Sequence, residues 1–202
     1  MRVISGQAKG HPLKAVPGSG TRPTTDKVKE ALFSIIGPYF GNGERALDLF
    51  AGTGGLGIEA LSRGAERAVF IDASPRSVEV VRRNLAATRL SDRAEVYRND
   101  ARRALKLLER AGKPFDLIFL DPPYEVKDCD ALLLDIAGRG LAAEGAVAVV
   151  EHHPDVAYAE TIGAFGRIRY AKYGEIALSI YRYDSDTEGE NEHEDATVRH
   201  GE

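Results

Sequence analysis

The sequence predicts an α/β fold: a Rossmann-like, mostly parallel sheet that finishes in a C-terminal antiparallel hairpin, with a small N-terminal hairpin and helix attached. Three observations predict it. From residue 45 onward, short apolar runs alternate with helical patterns, as right-handed βαβ units require. The first run ends in a glycine-rich turn. The last two runs follow one another with only Gly174-Glu175 between them, so they pair antiparallel.

Residues 2–16 alternate loosely around Gly6 and Gly10 and suggest a short hairpin. The Gly/Pro-rich stretch 17–23 reads as a loop. Thr24 or Thr25 can cap a helix with Val28, Leu32, Phe33 and Ile36 on its apolar face. Buried strands are expected at 45–50, 67–72, 94–98, 116–121 and 146–151, then at 167–173 and 176–183, seven in all. Helices are expected at 57–63, 77–90, 101–111 and 130–138. The chain therefore divides into an N-terminal extension (1–40), an α/β domain (41–183) and a tail (184–202).

Charge is unevenly placed. The net charge of −4 argues against a nucleic-acid partner when taken whole. The last 19 residues hold eight acids and one base, a charge of −7, with Val198 as their one large apolar residue. Such a segment cannot offset its ordering entropy and reads as a disordered acidic tail. The body is +3, and residues 1–30 alone carry +4. One cysteine, Cys129, excludes a disulfide framework and a Cys-ligated metal centre. No run reaches the ~20 apolar residues of a membrane span, and the N-terminus lacks a secretory h-region. A cytoplasmic, monomeric protein without a membrane partner is expected.

The first strand runs into Asp48-Leu49-Phe50-Ala51-Gly52-Thr53-Gly54-Gly55-Leu56-Gly57. Gly52, Gly54 and Gly57 make a G-x-G-x-x-G between strand and helix. Asp72 ends the next strand, where a carboxylate can accept from ribose hydroxyls. These features alone suit a NAD-dependent oxidoreductase as well as a methyl-donor site. Asp48 separates the two, because a carboxylate there repels a pyrophosphate but suits a ligand bearing an ammonium group. S-adenosylmethionine carries an ammonium, a sulfonium and a ribose. Asn99-Asp100, after the third strand, could reach its adenine edge.

Asp121-Pro122-Pro123-Tyr124 follows the fourth strand at the sheet's carboxyl edge, where ligands of open α/β sheets collect. The prolines stiffen the turn and remove N–H donors, and Tyr124 offers a face for base stacking. Cys129 sits outside any proline turn and gives little support to a cysteine nucleophile. His152-His153 ranks below the loop residues, and Tyr170, Tyr173, Tyr181 and Tyr183 read as sheet packing.

DPPY beside this glycine loop resembles the amino-methyltransferases that act on exocyclic amines of nucleic-acid bases. Further motifs narrow the resemblance: Gly6-x-x-Lys9-Gly10-x-x-Leu13, the segment from Arg22-Pro23-Thr24-Thr25 through Phe33, DLFAGTGGLGIEALSRGA at 48–65, and Tyr173-Gly174-Glu175. Together, over roughly residues 2–183, they resemble the RsmD-type family, which methylates the N2 of a guanine (the position-966 type) in bacterial 16S rRNA. The resemblance implies the seven-stranded class I methyltransferase sheet. It also implies S-adenosylmethionine as donor, S-adenosylhomocysteine as product and no metal. The partner it implies is 16S rRNA, the small ribosomal subunit or its assembly intermediate.

On that resemblance, Asp121, Pro122, Pro123 and Tyr124 form the catalytic turn. The donor set is Asp48, Phe50, Ala51, Gly52, Thr53, Gly54, Gly57, Asp72, Ala73, Asn99, Asp100 and Ala101. Arg2, Lys9, Lys14, Arg22, Thr24 and Lys27 are the expected RNA contacts. An adenine-N6 DNA methyltransferase, a NAD-dependent oxidoreductase and a non-catalytic RNA-binding factor are the competing readings.

Overall fold

The structure is a computed structural model and describes residues 1–17, 25–37, 43–123 and 125–187. Thr25 accepts from the Val28 N–H (3.3 Å) and opens α1 (Asp26–Ile36). The domain then alternates as expected: β1 (Arg45–Asp48), α2 (Gly55–Arg63), β2 (Arg67–Asp72), α3 (Pro75–Thr88), β3 (Ala94–Arg98), α4 (Ala101–Ala111), β4 (Phe115–Leu120) and α5 (Cys129–Gly138). It ends in β5 (Ala142–His152), β6 (Thr161–Ile162), β7 (Phe165–Tyr173) and β8 (Ile176–Tyr183).

Among the described residues the sheet has eight strands, ordered β3-β2-β1-β4-β5-β8-β7-β6. The five strands from β3 to β5 are parallel, and β8, β7 and β6 add antiparallel. The eighth strand is the two-residue β6, which pairs with the start of β7 and is too short to show a periodicity. Strand β5 begins earlier than expected. Its small and polar start, Ala142 to Gly145, hides in sequence, and the β4 register shifts between Phe115 and Leu117 opposite it. Gly174, at φ +64, is the only positive-φ residue of the two joining β7 to β8, the type II′ pattern that matches strand twist.

Alternation along the central strands gives the sheet two buried faces. Ala46, Phe70, Phe119 and Val149 pack on one side with α1, α2 and α3. Leu47, Ile71, Ile118 and Val150 pack on the other with α4 and α5. The strand order reverses between β1 and β4, so the crevice of a doubly wound sheet opens at their carboxyl ends.

The N-terminal segment folds back on itself and onto α2. Val3 N donates to His11 O (2.9 Å) and Leu13 N to Met1 O (3.0 Å). Glu59, fully buried on α2, accepts from Ile4 N (2.8 Å), Ser5 N (2.9 Å) and Arg63 Nε (2.8 Å). The Lys29 ammonium, also buried, lies 3.5 Å from Glu59 and donates to Arg2 O (2.5 Å). Burial lowers the Lys29 pKa, and Glu59 opposes that shift. Gly6 lies so close to Ser62 O that a Cβ would stand 1.8 Å away. Farther along, Lys14 N donates to Asn84 Oδ1 (2.8 Å), while Asn84 Nδ2 donates to Lys14 O (3.1 Å) and Thr53 O (2.9 Å). Residues 184–187, expected as the start of the tail, form a 3-10 turn over Ser185–Thr187. Ser185 Oγ donates to Glu144 (2.7 Å) there, which offsets its ordering cost. The rest of the tail lies outside the described residues.

Glu59→Ala should lower the unfolding free energy by about 3–5 kcal/mol, because it strands the Lys29 ammonium inside the protein. Urea denaturation measures the loss, and the Glu59→Ala/Lys29→Met double substitution should recover the part owed to the stranded ammonium, leaving the cost of the unpaired Ile4 and Ser5 N–H groups. An additive double variant would show that the two groups do not act as a pair.

Candidate active site

Strand β1 stops at Asp48, and the chain turns through Leu49 and Phe50 into the glycine loop. Two bonds pin this entry: Leu49 N donates to Phe119 O (3.0 Å) and Ala51 N to Ile71 O (2.9 Å). Gly54, at φ +78, is the N-cap of α2, a conformation that costs glycine nothing. Gly57 N then donates to Asp48 Oδ2 (3.0 Å). A Cβ on Gly57 would lie 2.3 Å from the Phe70 ring, so this close approach of helix to sheet requires glycine. Asp72 closes the other side, accepting from Gly52 N (2.9 Å) and Ser74 N (2.8 Å).

A cavity of about 690 Å³ lies at this sheet edge, within the range of small-molecule sites. Phe50, Ala51, Gly52 and Thr53 form its glycine-loop wall, with Asp48 beneath. Asp72, Ala73 and Asp100 form a second wall, and Asp121, Pro122 and Pro123 a third. Gly54, Gly57, Asn99 and Ala101 are not among its lining residues. Gly57 bonds Asp48 from behind, and the Asn99 carboxamide folds back to accept from Asp100 N (2.9 Å). Of the Asn99-Asp100 pair expected at an adenine edge, only Asp100 borders the cavity, and its carboxylate also caps α4 by accepting from Arg103 N (3.2 Å). Tyr124 lies outside the described residues.

The floor is acidic. Asp48 and Phe119 pair across β1 and β4, and Leu120 pairs with Val150 across β4 and β5. Alternation therefore puts Asp48, Asp121 and Glu151 on the same sheet face, at the carboxyl ends of three neighbouring strands. Burial pushes Asp48 up to about 7, against the opposing Gly57 bond, and Asp72 adds to the rise. Burial also holds Asp121 well above the usual carboxylate range, and the nearby Glu151 and Asp48 charges push the same way.

Sequence reasoning missed Glu151, Tyr158 and Val126 on the cavity wall; His152 and His153, ranked there below the loop residues, line it as well. Glu151 had a legible signal, an acid at the carboxyl end of a buried strand, as at Asp48 and Asp121. His152 Nδ1 donates to His153 O (2.9 Å), which leaves Nε2 to accept from Ser179 Oγ (2.9 Å). Burial lowers its pKa, so the ring is a neutral imidazole with a fixed tautomer. Cys129 is fully buried at the start of α5, and burial pushes its thiol up to about 11.

The N-terminal segment supplies Met1, Ala15, Val16 and Pro17 to the cavity rim. Of the expected RNA contacts, Arg22 and Thr24 lie outside the described residues. Lys9, Lys14 and Lys27 are exposed. The Arg2 guanidinium is 3.4 Å from Asp26 with most of its surface in water. Lys29, counted in the positive excess of residues 1–30, is buried on Glu59 and presents no charge outward. Tyr181 is buried, and its hydroxyl donates to Ala159 O (2.8 Å).

The family model described as "Conserved hypothetical protein 95" matches residues 1–182. The chain belongs to this family. It is 50% identical over 182 residues to YlbH of Bacillus subtilis (strain 168), covering 90% of this chain and 98% of that one. It is 30% identical over 190 residues to "Ribosomal RNA small subunit methyltransferase D" of Escherichia coli (strain K12), covering 94% of this chain and 93% of that one. Among solved structures, yhhF from Escherichia coli matches with a TM-score of 0.79 at 30% identity, over 92% of this chain and 98% of that chain. The RsmD-type membership expected from the sequence motifs stands on these matches, and the sheet is that of the class I methyltransferases. No helix among the described residues is long and apolar enough to cross a membrane.

Asp48 titrates at about 7 in the folded chain against 3.8 ordinarily, so the native state binds the extra proton between those values. Its charge therefore destabilises the ligand-free protein as pH rises through that window. Asp48→Asn should raise stability at pH 8 by up to about 4 kcal/mol, and the gain should vanish near pH 4. Denaturant titrations across pH measure it, and a pH-independent gain would mean that ionisation is not its source.

Proposed function

We propose that this chain is an S-adenosylmethionine-dependent methyltransferase acting on the exocyclic N2 of a guanine in 16S rRNA, guanine 966 of the small subunit. The observation that carries the reading is the gathering of Asp48, Asp72 and the Asp121-Pro122-Pro123 turn around one cavity. It is supported by 30% identity over 94% of the chain to a protein named as an rRNA small subunit methyltransferase. The acidic floor also disfavours the dinucleotide reading, since three carboxylates would face a pyrophosphate.

The residues present fit the donor. Asp48 Oδ2 is held by Gly57 N, while Oδ1 makes no hydrogen bond among the described residues and is free to accept from an ammonium group. Each Asp72 oxygen retains a lone pair after its bond to Gly52 or Ser74 and suits ribose hydroxyls. The donor supplies a methyl group already activated on a sulfonium. The protein's task is then orientation and electrostatics.

An exocyclic amine is a poor nucleophile because its lone pair is delocalised into the ring. Hydrogen bonds from the amine to the Asp121 carboxylate and the Pro122 carbonyl turn it towards tetrahedral geometry and localise that pair. With no N–H on either proline, this turn offers acceptors and no backbone donor beside them. Tyr124 stacks on the base. The raised affinity of Asp121 for protons suits it to take the amine's proton as the methyl arrives. The target atom is hidden in a stacked helix, so the base is flipped out or already unpaired. Exposed Lys9, Lys14 and Lys27, with Arg2, Arg22 and Thr24, hold phosphates and position the RNA without specifying it.

Incubation with radiolabelled donor and unmodified small subunits, 16S rRNA or DNA should leave the label on N2-methylguanosine of rRNA. Label confined to adenine in DNA would overturn the reading. Asp121→Ala should cut turnover at least about 100-fold while calorimetric donor affinity stays within a few-fold. Equal losses in both would assign Asp121 to donor binding instead.

Replacing Lys9 and Lys14 together should weaken RNA binding and reduce the salt slope by about one unit per lost phosphate contact. An unchanged slope would remove the N-terminal segment from the RNA interface.

A further inference from the structure

We propose that Glu151 selects guanine by accepting a hydrogen bond from the base's N1–H, next to the N2 amine held by Asp121. The inference rests on the methyltransferase reading above and assigns the residue that chooses the base at that site.

Leu120 and Val150 are paired across β4 and β5, so the next residues along, Asp121 and Glu151, emerge side by side at the sheet's carboxyl edge. Alternation aims both to the face that carries Asp48. Both line the cavity, and Glu151 is only 8% exposed. Their charges are close enough to raise the proton affinity of Asp121. The two prolines that follow Asp121 contribute no N–H. His152, the next residue, spends its Nδ1–H on a carbonyl and its Nε2 on Ser179, so its ring offers the base no N–H. Beside the amine-holding carboxylate, this part of the wall is therefore a second acceptor.

Only one common base matches two neighbouring acceptors. Guanine presents N1–H directly beside its N2 amine, two donors in a row. Adenine presents an N1 lone pair beside its N6 amine, and cytosine an N3 lone pair beside its N4 amine. A lone pair set against the Glu151 carboxylate leaves two acceptors facing each other in a largely buried site, with neither satisfied. The DPP turn serves any exocyclic amine, so discrimination has to come from a neighbour, and Glu151 stands at the adjacent strand end. A site built to hydrogen-bond a substrate N–H rejects an analogue lacking it strongly.

2-Aminopurine isolates this interaction, because it keeps the 2-amino group but has a lone pair at N1. The experiment uses full-length protein and 16S rRNA assembled with guanine, 2-aminopurine or adenine at the labelled position. Wild type should methylate guanine with a kcat/KM at least about tenfold above that for 2-aminopurine. Glu151→Gln, which keeps the shape and can turn an amide N–H towards N1, should lose most of the guanine rate. It should also narrow the ratio at least about threefold, with calorimetric donor affinity retained. Because the intrinsic reactivity of each amine is the same for both enzymes, the change in ratio reports the contact itself.

Equal use of guanine and 2-aminopurine by wild type would overturn the proposal, whatever the variant's folding. A variant that slows both substrates by one factor would also overturn it, leaving Glu151 an electrostatic neighbour of Asp121. Wild type that methylates adenine and not guanine would overturn the parent reading of the base, an outcome distinct from the other two.

Discussion

The arrangement depends on one close approach, that of Gly57 to the ends of β1 and β2. With no side chain, its Cα rests against the Phe70 ring and its N–H reaches the Asp48 carboxylate. That contact fixes where α2 begins, and hence where the glycine loop lies relative to the sheet. It also holds a carboxylate under the loop in surroundings that favour its protonated form. Asp72, bonded to Gly52 and Ser74, fixes the same loop from its other end. The loop is thus suspended between two acids whose oxygens bind backbone N–H groups and keep further lone pairs for a ligand.

The second constraint is electrostatic. Three carboxylates at the carboxyl ends of β1, β4 and β5 share one face, and burial makes Asp48 and Asp121 reluctant to ionise there, with the Glu151 charge adding to the effect on Asp121. Such a floor selects against anions and in favour of cationic groups and N–H donors. An ammonium group, a sulfonium and the amine edge of a nucleobase all meet that description.

Much of this was legible in the sequence because it follows from short-range rules. Helices α1 to α5 and the parallel strands were expected from periodicity, and the glycine loop, Asp48, Asp72 and Asp121 from their places at strand ends. What escaped depends on contacts distant in sequence. Lys29 reads as a surface cation and is instead internal, because Glu59 comes to it from 30 positions away. The start of β5 has too little apolar character to signal a strand, and the two residues of β6 are too few. His152 was discounted because adjacent strand residues point apart. Its neighbour reaches the cavity as well, since β5 ends at His152 and His153 begins the following loop.

The N-terminal segment is tied to the core through groups that also belong to the loop's scaffold. Glu59 and Ser62 lie on α2, the helix that the glycine loop starts. Asn84 joins Lys14 to the carbonyl of Thr53 within the loop itself. A ligand that shifts the loop therefore works against the same bonds as a ligand that pulls on residues 1–17. Thermodynamic linkage then makes the effect mutual. By whatever factor occupancy of the cavity alters the hold of the N-terminal segment on its partner, engagement of that segment alters affinity in the cavity by the same factor. The Asn84 carboxamide stands between the two and is bonded to both.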